Sequence, residues 1–258
     1  MNWLQAIVLS LVEGVTEFLP ISSTAHLMFT ANLLGLEHTD FLKSFEIAIQ
    51  LGAILSVAVL YAQKLIKNPS LIWKIMMAFV PTGIIGIGLY PFVKSFLIGN
   101  DWVAIAALLI GGLLIVKLPV ISDQLHNKLS IKELSVKKLL YIGLWQSVAV
   151  VPGVSRALAT IWGGQMVGLS RVEAVEMSFL LAMPTMAAAT GYDLVKTGMS
   201  FTSSEWSVLG IGFIGAFVSA LIVVKWLIGF VQKHDLKVFG WYRVVLALGW
   251  GGLLIVFQ

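Results

Sequence analysis

The chain contains no cysteine, which excludes disulfides, thiol nucleophiles and Cys-ligated metals. Charge is scarce: Asp, Glu, Lys and Arg together make up 12% of 258 residues, and only three positions, 156, 171 and 243, are arginine. Its apolar runs lack the period-2 alternation of a membrane barrel, so strands are not expected to span a bilayer. Asn2-Trp3 follows Met1 with no basic segment and no small-residue cleavage site, so no cleavable signal is expected. The formal net charge of +4 is not gathered on one face, because the lysines fall in gaps between apolar runs. That is the ordinary topology signal of a membrane protein, and no nucleic-acid partner is expected.

Apolar residues fill the space that these absences leave. The chain is 59% hydrophobic with a mean hydropathy of +0.95. Repeated runs near the ~20 residues that a bilayer requires indicate an all-α polytopic membrane protein, a single membrane domain over 1–258. Six runs are long enough to span: 42–62, 75–92, 101–118, 173–195, 206–228 and 240–257. Two further apolar regions, 1–34 and 136–169, are broken by Pro20-Ile21-Ser22-Ser23-Thr24 and by Pro152-Gly153-Val154-Ser155-Arg156. Proline removes a backbone donor and bars the preceding residue from helical geometry, so each region is expected to be two short helices around an irregular tip. Irregular backbone at membrane depth survives only where protein buries it or it lines a wet cavity, so both read as re-entrant hairpins.

Charge in the connections agrees. Lys64, Lys67 and Lys74 follow the first span, and Lys117, Lys128, Lys132, Lys137 and Lys138 follow the third. Lys225, Lys233, Lys237 and Arg243 are assigned to the connection between the last two spans, whereas 93–101 and 196–205 carry one lysine each. The basic connections belong in the cytoplasm, which puts both termini outside, the first hairpin entering from outside and the second from the cytoplasm. Each hairpin precedes three spans. The expected fold is therefore six transmembrane helices plus two re-entrant helical hairpins in an inverted-topology repeat. The half-repeats are about 1–120 and 135–258, joined by a basic cytoplasmic loop.

The scarce polar groups gather at the two tips. EGVTEFLPISSTAH, residues 13–26, holds two carboxylates, four hydroxyls and an imidazole. Glu13 and Glu17 share a helix face at i,i+4 and repel unless a cation, a proton or a cationic side chain lies between them. They could hold Mg²⁺ or Ca²⁺, hard cations that take oxygen ligands and bridge phosphates. Glu46 and Gln50 repeat the spacing; they could face the same cavity or sit as polar residues near the interface, and spacing does not decide. One of Ser22, Ser23 and Thr24 suffices as a helix cap, but three hydroxyls at a helix start also suit an anion. His26, about one turn after Ser23, is in reach to handle a proton. Arg156 costs at least ~2.5–3.5 kcal/mol on insertion scales and needs a partner. Glu13 or Glu17 would serve, and so would phosphate oxygens. Gly153 permits close approach to a ligand, and Ser155 and Thr160 add donors. Arg171, Glu173 and Asp193 are expected to be interfacial. This inventory suits phosphoryl transfer in an intramembrane anion site.

EGVTEFLPISSTAH and PGVSRALAT, together with FEIAIQLGAI and MSFLLAMPTMAAATGYDL, closely resemble the signatures of the bacterial undecaprenyl-diphosphate phosphatase, or bacitracin-resistance, family. The resemblance spans nearly the whole chain. It implies hydrolysis of undecaprenyl diphosphate to undecaprenyl phosphate and inorganic phosphate at the outer, periplasmic face of the bacterial plasma membrane, recycling the lipid carrier for cell-wall synthesis. The family's acidic motif falls on Glu13 and Glu17, its hydroxyl and histidine run on Ser22, Ser23, Thr24 and His26, and its second motif on Gly153, Ser155, Arg156 and Thr160. Two positions depart: Ala25 stands where the family usually has glycine, and Ala157 where it has a second serine. Ser23 is the favoured nucleophile, with Glu17 and His26 as proton handlers; direct attack by water stays open. A lipid-phosphate transporter or flippase is the alternative function. Expected partners are the isoprenyl diphosphate and membrane lipids; a homodimer is compatible with a sequence that does not report oligomeric state.

Overall fold

The computed structural model describes residues 1–37, 39–93, 97, 100–117, 129–197 and 201–257. Lys94, Lys128 and the centre of the basic connection lie outside the described residues, as do the side chains of Asp193 and Lys196. Among the described residues the regular structure is helical: α1 (Trp3–Thr16), α2 (Ser23–Leu33), α3 (Asp40–Lys67), α4 (Pro69–Phe92), α5 (Asp101–Lys117), α6 (Val136–Ser147), α7 (Arg156–Met166), α8 (Arg171–Thr197), α9 (Ser203–Lys233) and α10 (Lys237–Phe257).

The two breaks arise where the prolines predict them. Pro20 has no N–H for the Thr16 carbonyl, which takes the Leu19 amide instead at 3.3 Å, and α1 stops. Pro152 likewise cannot serve the Val148 carbonyl, which accepts from Val151 at 3.2 Å and closes a 3-10 turn over Val148–Val150. The chain then doubles back both times. Gln5 Nε2 reaches the Leu34 carbonyl at 3.4 Å, so α2 returns to the end where α1 began. Lys138 Nζ bonds the Val167 carbonyl at 2.8 Å, so α7 returns to the start of α6.

Contacts between elements sort the helix ends into two groups. One end of the bundle holds the Lys64–Glu176 ion pair at 2.5 Å, Lys74 on the Leu134 carbonyl at 2.6 Å, and Arg171 on the His234 carbonyl. Glu173 accepts there from the Ile131 amide at 2.8 Å, so Arg171 and Glu173 pin loops. The other end holds Asn32 bonded to Asp101 at 3.3 Å and Phe41 against Phe201. The hairpins start from opposite ends, and their tips meet between them.

Among the described residues, five helices are long and apolar enough to cross a membrane: Asp40–Lys67, Pro69–Leu89, Arg171–Tyr192, Ser203–Lys233 and Lys237–Val256. The third expected span coincides with α5, whose 17 residues reach about 26 Å, short of a ~30 Å hydrocarbon core. Long-helix surfaces are apolar outward, with Ile66, Ile84 and Ile222 all more than 60% exposed. In lipid such surfaces have no hydrophobic reason to associate, so the bundle depends on close packing: α3 against α8 and α9, α1 against α9, α6 against α4, α5 against α10.

One expectation is corrected outright. Arg243 does not belong to a basic connection: it lies within α10 and is fully buried. Its guanidinium donates to five main-chain carbonyls, those of Leu108 and Ala107 on α5, Pro20 on the first tip, and Gly153 and Val154 on the second, at 2.9–3.3 Å. Gly111 makes the room, since a Cβ there would collide with the guanidinium.

Candidate active site

Both tips end in a serine that caps the following helix from an unusual conformation. Ser22 and Ser155 each have φ 72°, the left-handed region that L-residues other than Asn and Asp avoid. Ser22 Oγ accepts from the Ala25 amide at 3.5 Å and Ser155 Oγ from the Leu158 amide at 3.2 Å. Gly153, at φ 92°, lies so close to Ala104 on α5 that a Cβ would strike the Ala104 carbonyl at 2.5 Å. The first-turn amides of α2 and α7 have no carbonyl behind them, so two helix N-termini converge on one space.

That space is a cavity of about 190 Å³ lined by Glu17, Ser22, Ser23, Thr24, Gly153, Ser155 and Arg156. Gln50, Thr82, Gln146 and Thr185 complete its polar wall, with Ala149, Val150, Val151, Met186 and Ala189. Glu17 is the hub. One carboxylate oxygen accepts from Arg156 Nη2 at 3.0 Å and the other from the Ser23 hydroxyl. Arg156 Nη1 donates to the Ser178 carbonyl at 2.8 Å and the guanidinium lies 5.9 Å from the Phe18 ring centre. Its Nε–H is buried and has no hydrogen-bond partner among the described residues. The Glu17 and Arg156 side chains are 5% and 12% exposed, so neither charge is solvated by bulk water. A buried pair of this kind adds little net stability, but losing one member strands the other, at about 3–5 kcal/mol. The pair therefore acts as an orienting device.

Glu13 stands one turn behind Glu17, fully buried, and among the described residues both its carboxyl oxygens lack a hydrogen-bond partner. Those orphaned oxygens test the cation idea. A Mg²⁺ or Ca²⁺ completed by water ligands would supply the missing partner beside Glu17, but Glu13 does not line the cavity, so Glu17 alone of the two carboxylates faces it. Among the described residues no cluster of three or more His, Asp or Glu side chains would hold a cation without such help.

His26 and Thr160 do not line the cavity. His26 Nδ1–H donates to the Ser22 carbonyl at 2.7 Å, which leaves Nε2 to accept from the Tyr242 hydroxyl at 2.8 Å when the ring is neutral. The imidazole thereby holds the backbone of the first cap. The Thr160 hydroxyl is shared between the Arg156 carbonyl at 2.8 Å and Gln146 Oε1 at 3.2 Å. Gln50 faces the cavity and Glu46 is not among its lining residues. The two departures, Ala25 and Ala157, are buried in apolar clusters away from the lining.

Three polar wall residues, Thr82, Gln146 and Thr185, escaped the sequence reading. Gln146 Nε2 donates to the Thr82 and Thr185 hydroxyls, both at 2.9 Å, so α4, α6, α7 and α8 are tied by one neutral amide. A signal existed: superposing the tips on Ser22 and Ser155 sets Gln146 opposite Glu13 in register. The Ser178 carbonyl carried no signal, because any residue could supply it.

Chemically, the arrangement pairs a hydroxyl with a carboxylate acceptor, an arginine and two helix N-termini in a small, partly desolvated space. It suits an anionic ligand at which negative charge develops. A model of the bacitracin resistance protein BacA family matches residues 6–249. The chain is 53% identical to the undecaprenyl-diphosphatase of Aquifex aeolicus (strain VF5) over 244 residues, 95% of each chain. It is 45% identical to that of Sulfurihydrogenibium sp. (strain YO3AOP1) over 96% of this chain and 98% of the relative. It is 44% identical to that of Thermus thermophilus over 94% of each. With nearly its full length matched, and both polar tips inside the match, the chain belongs to the bacitracin resistance protein BacA family.

Proposed function

We propose that this protein is an integral-membrane undecaprenyl-diphosphatase that removes the terminal phosphate of its lipid substrate and returns the carrier as undecaprenyl phosphate. The observation that carries the reading is the Ser23–Glu17–Arg156 relay in one cavity between two helix N-termini. Relatives named undecaprenyl-diphosphatase, matched over nearly their whole length, support the substrate.

In this reading the terminal phosphate lies against the amides at the starts of α2 and α7, with the Arg156 side chain on the cavity wall beside it. Ser23 Oγ attacks phosphorus while its proton passes to Glu17. The Oγ–P bond forms and the bridging P–O bond breaks. Undecaprenyl phosphate leaves with the bond electrons, and as a phosphate monoester it needs no proton from the protein. Water then attacks the phosphoserine, giving inorganic phosphate and free Ser23, with Glu17 relaying the proton. Arg156 keeps Glu17 aimed at Ser23 and offsets charge on the equatorial oxygens. His26 acts through Ser22. Glu13 and Glu17 would hold a divalent cation, which when bound supplies Lewis-acid stabilisation to phosphate oxygens.

The half-repeats and the membrane placement belong to the same proposal. The tip serines share one φ, the hairpins start from opposite ends, and each hairpin's first helix packs on a long helix of the other half. These features support two re-entrant hairpins in an inverted repeat, with α5 as the sixth span. Lys64, Lys74 and Lys138 share one end, which supports the cytoplasm there. Gln50, Thr82 and Thr185 lie on the halves of α3, α4 and α8 nearer the other end, which supports a cavity opening to the outer face of the plasma membrane. Purified protein should release inorganic phosphate from undecaprenyl diphosphate. Movement of the intact diphosphate across a vesicle membrane without phosphate release would instead identify a transporter.

A further inference from the structure

A second cavity, about 390 Å³ and almost wholly apolar, lies on the other side of the second hairpin tip from the polar one. It runs between α5 and the α6–α7 hairpin. Small side chains carve it, Ala106 and Ala107 from α5 and Ala159 from α7, and Trp145 and Trp162 wall it. The tip divides its residues between the two spaces. Ala149 and Val150 face the polar cavity, Val148 and Val154 face the apolar groove, and Val151 lines both. One valine separates them.

We propose that this groove is the binding site for the isoprenyl tail, entered over Val151 from the phosphate cavity. The proposal rests on the diphosphatase reading above, and names where the apolar part of that substrate lies. The occupant follows from continuity. A ligand with a diphosphate head and a long branched hydrocarbon tail needs an anion site whose rim leads directly to an apolar surface, because hydrocarbon left in a polar cavity loses its transfer free energy. Ile110 and Val148 on the groove are 59% and 48% exposed, so the channel is open along its flank and a tail longer than the groove can continue into lipid. Another apolar cavity, about 290 Å³ between α3, α8 and α9, shares no lining residue with the polar cavity.

The test uses the full chain in detergent or proteoliposomes. Ala106→Phe fills the groove from an exposed position, and Gly210→Phe fills the α3–α8–α9 cavity as its counterpart. Ala106→Phe should raise KM for undecaprenyl diphosphate by at least about tenfold more than KM for isopentenyl diphosphate, whose tail is too short to need the groove. Equal shifts for the two substrates, or a chain-length-dependent shift in Gly210→Phe instead, would overturn the assignment. A non-hydrolysable diphosphonate carrying a benzophenone on its isoprenyl tail supplies a readout independent of turnover. It should label peptides containing Trp145 or Trp162, and labelling of 201–213 would place the tail elsewhere. Wild-type protein that labels in the groove but hydrolyses neither diphosphate would uphold the tail site and sink the diphosphatase reading.

Discussion

Ser22 and Ser155 occupy the same backbone conformation, φ 72°, at the starts of two helices that approach from opposite ends of the bundle, and among the described residues no other non-glycine residue has positive φ. Each holds its helix by a side-chain cap, and both face one cavity. Backbone in this region costs of order 1–3 kcal/mol per residue and persists only where the surroundings enforce it.

The strain predicts an inverted substitution order at the second tip. Ser155→Gly loses a cap, worth a few tenths of a kcal/mol, but relaxes at positive φ. Ser155→Val loses the cap and raises the strain. We expect Ser155→Gly to retain measurable hydrolysis and a melting temperature near wild type, and Ser155→Val to lose both. Equal behaviour of the two in thermal unfolding would show that the left-handed backbone is not what the serine tolerates.

Arg156→Ala should lower kcat by about a thousandfold or more, since it removes an anion-binding group and strands Glu17. Arg156→Lys keeps charge but cannot serve Glu17, the Ser178 carbonyl and a phosphate together, and should recover little. Phosphate release, with size-exclusion profiles as the folding control, checks both. Full activity in Arg156→Ala would remove the residue from the mechanism.

Ser23→Ala should abolish turnover, and with it any phosphoserine trapped by acid quench of wild type mixed with labelled substrate. If the alanine variant turns over at the wild-type rate, water is the nucleophile and Ser23 only occupies the first turn of α2.

Arg243→Met removes five donors at once from carbonyls on α5 and both tips. Unsatisfied buried carbonyls cost about 1–3 kcal/mol each before relaxation, so thermal unfolding should show a loss of several kcal/mol. Arg243→Lys should recover only part, because one ammonium cannot span three chain segments. An unchanged melting temperature in the methionine variant would refute the idea that this guanidinium holds the tips.

Chelation tests the carboxylate pair. EDTA should suppress hydrolysis and Mg²⁺ or Ca²⁺ restore it, while Glu13→Gln, which keeps shape but not charge, should shift the restoring concentration upward by at least about tenfold. Activity indifferent to EDTA would leave Glu13 and Glu17 with proton transfer and the pairing to Arg156.

Much of the site was legible because ionised groups and proline are expensive at membrane depth and therefore conspicuous. Glu17, Ser23 and Arg156 stood out on that ground, and one cavity holds them all. Neutral groups were less visible. Gln146 and Thr82 carry no charge in apolar runs, and their hydrogen bonds link helices far apart in sequence. Arg243 was misread because a basic residue near a helix start has the same signature whether it caps an interface or enters the core.

By itself the amino-acid sequence determined the helical character, the two broken hairpins and the inventory of reactive groups, because apolar run length, proline and charge scarcity act locally along the chain. Only the tertiary structure decided which groups meet. Glu17 finds Arg156 across 139 residues, His26 is committed to Ser22 and Tyr242 rather than to the cavity, and Arg243 ties the tips together beneath it. Those pairings depend on how close-packed helices bring distant segments within hydrogen-bond range, and no local pattern encodes that distance.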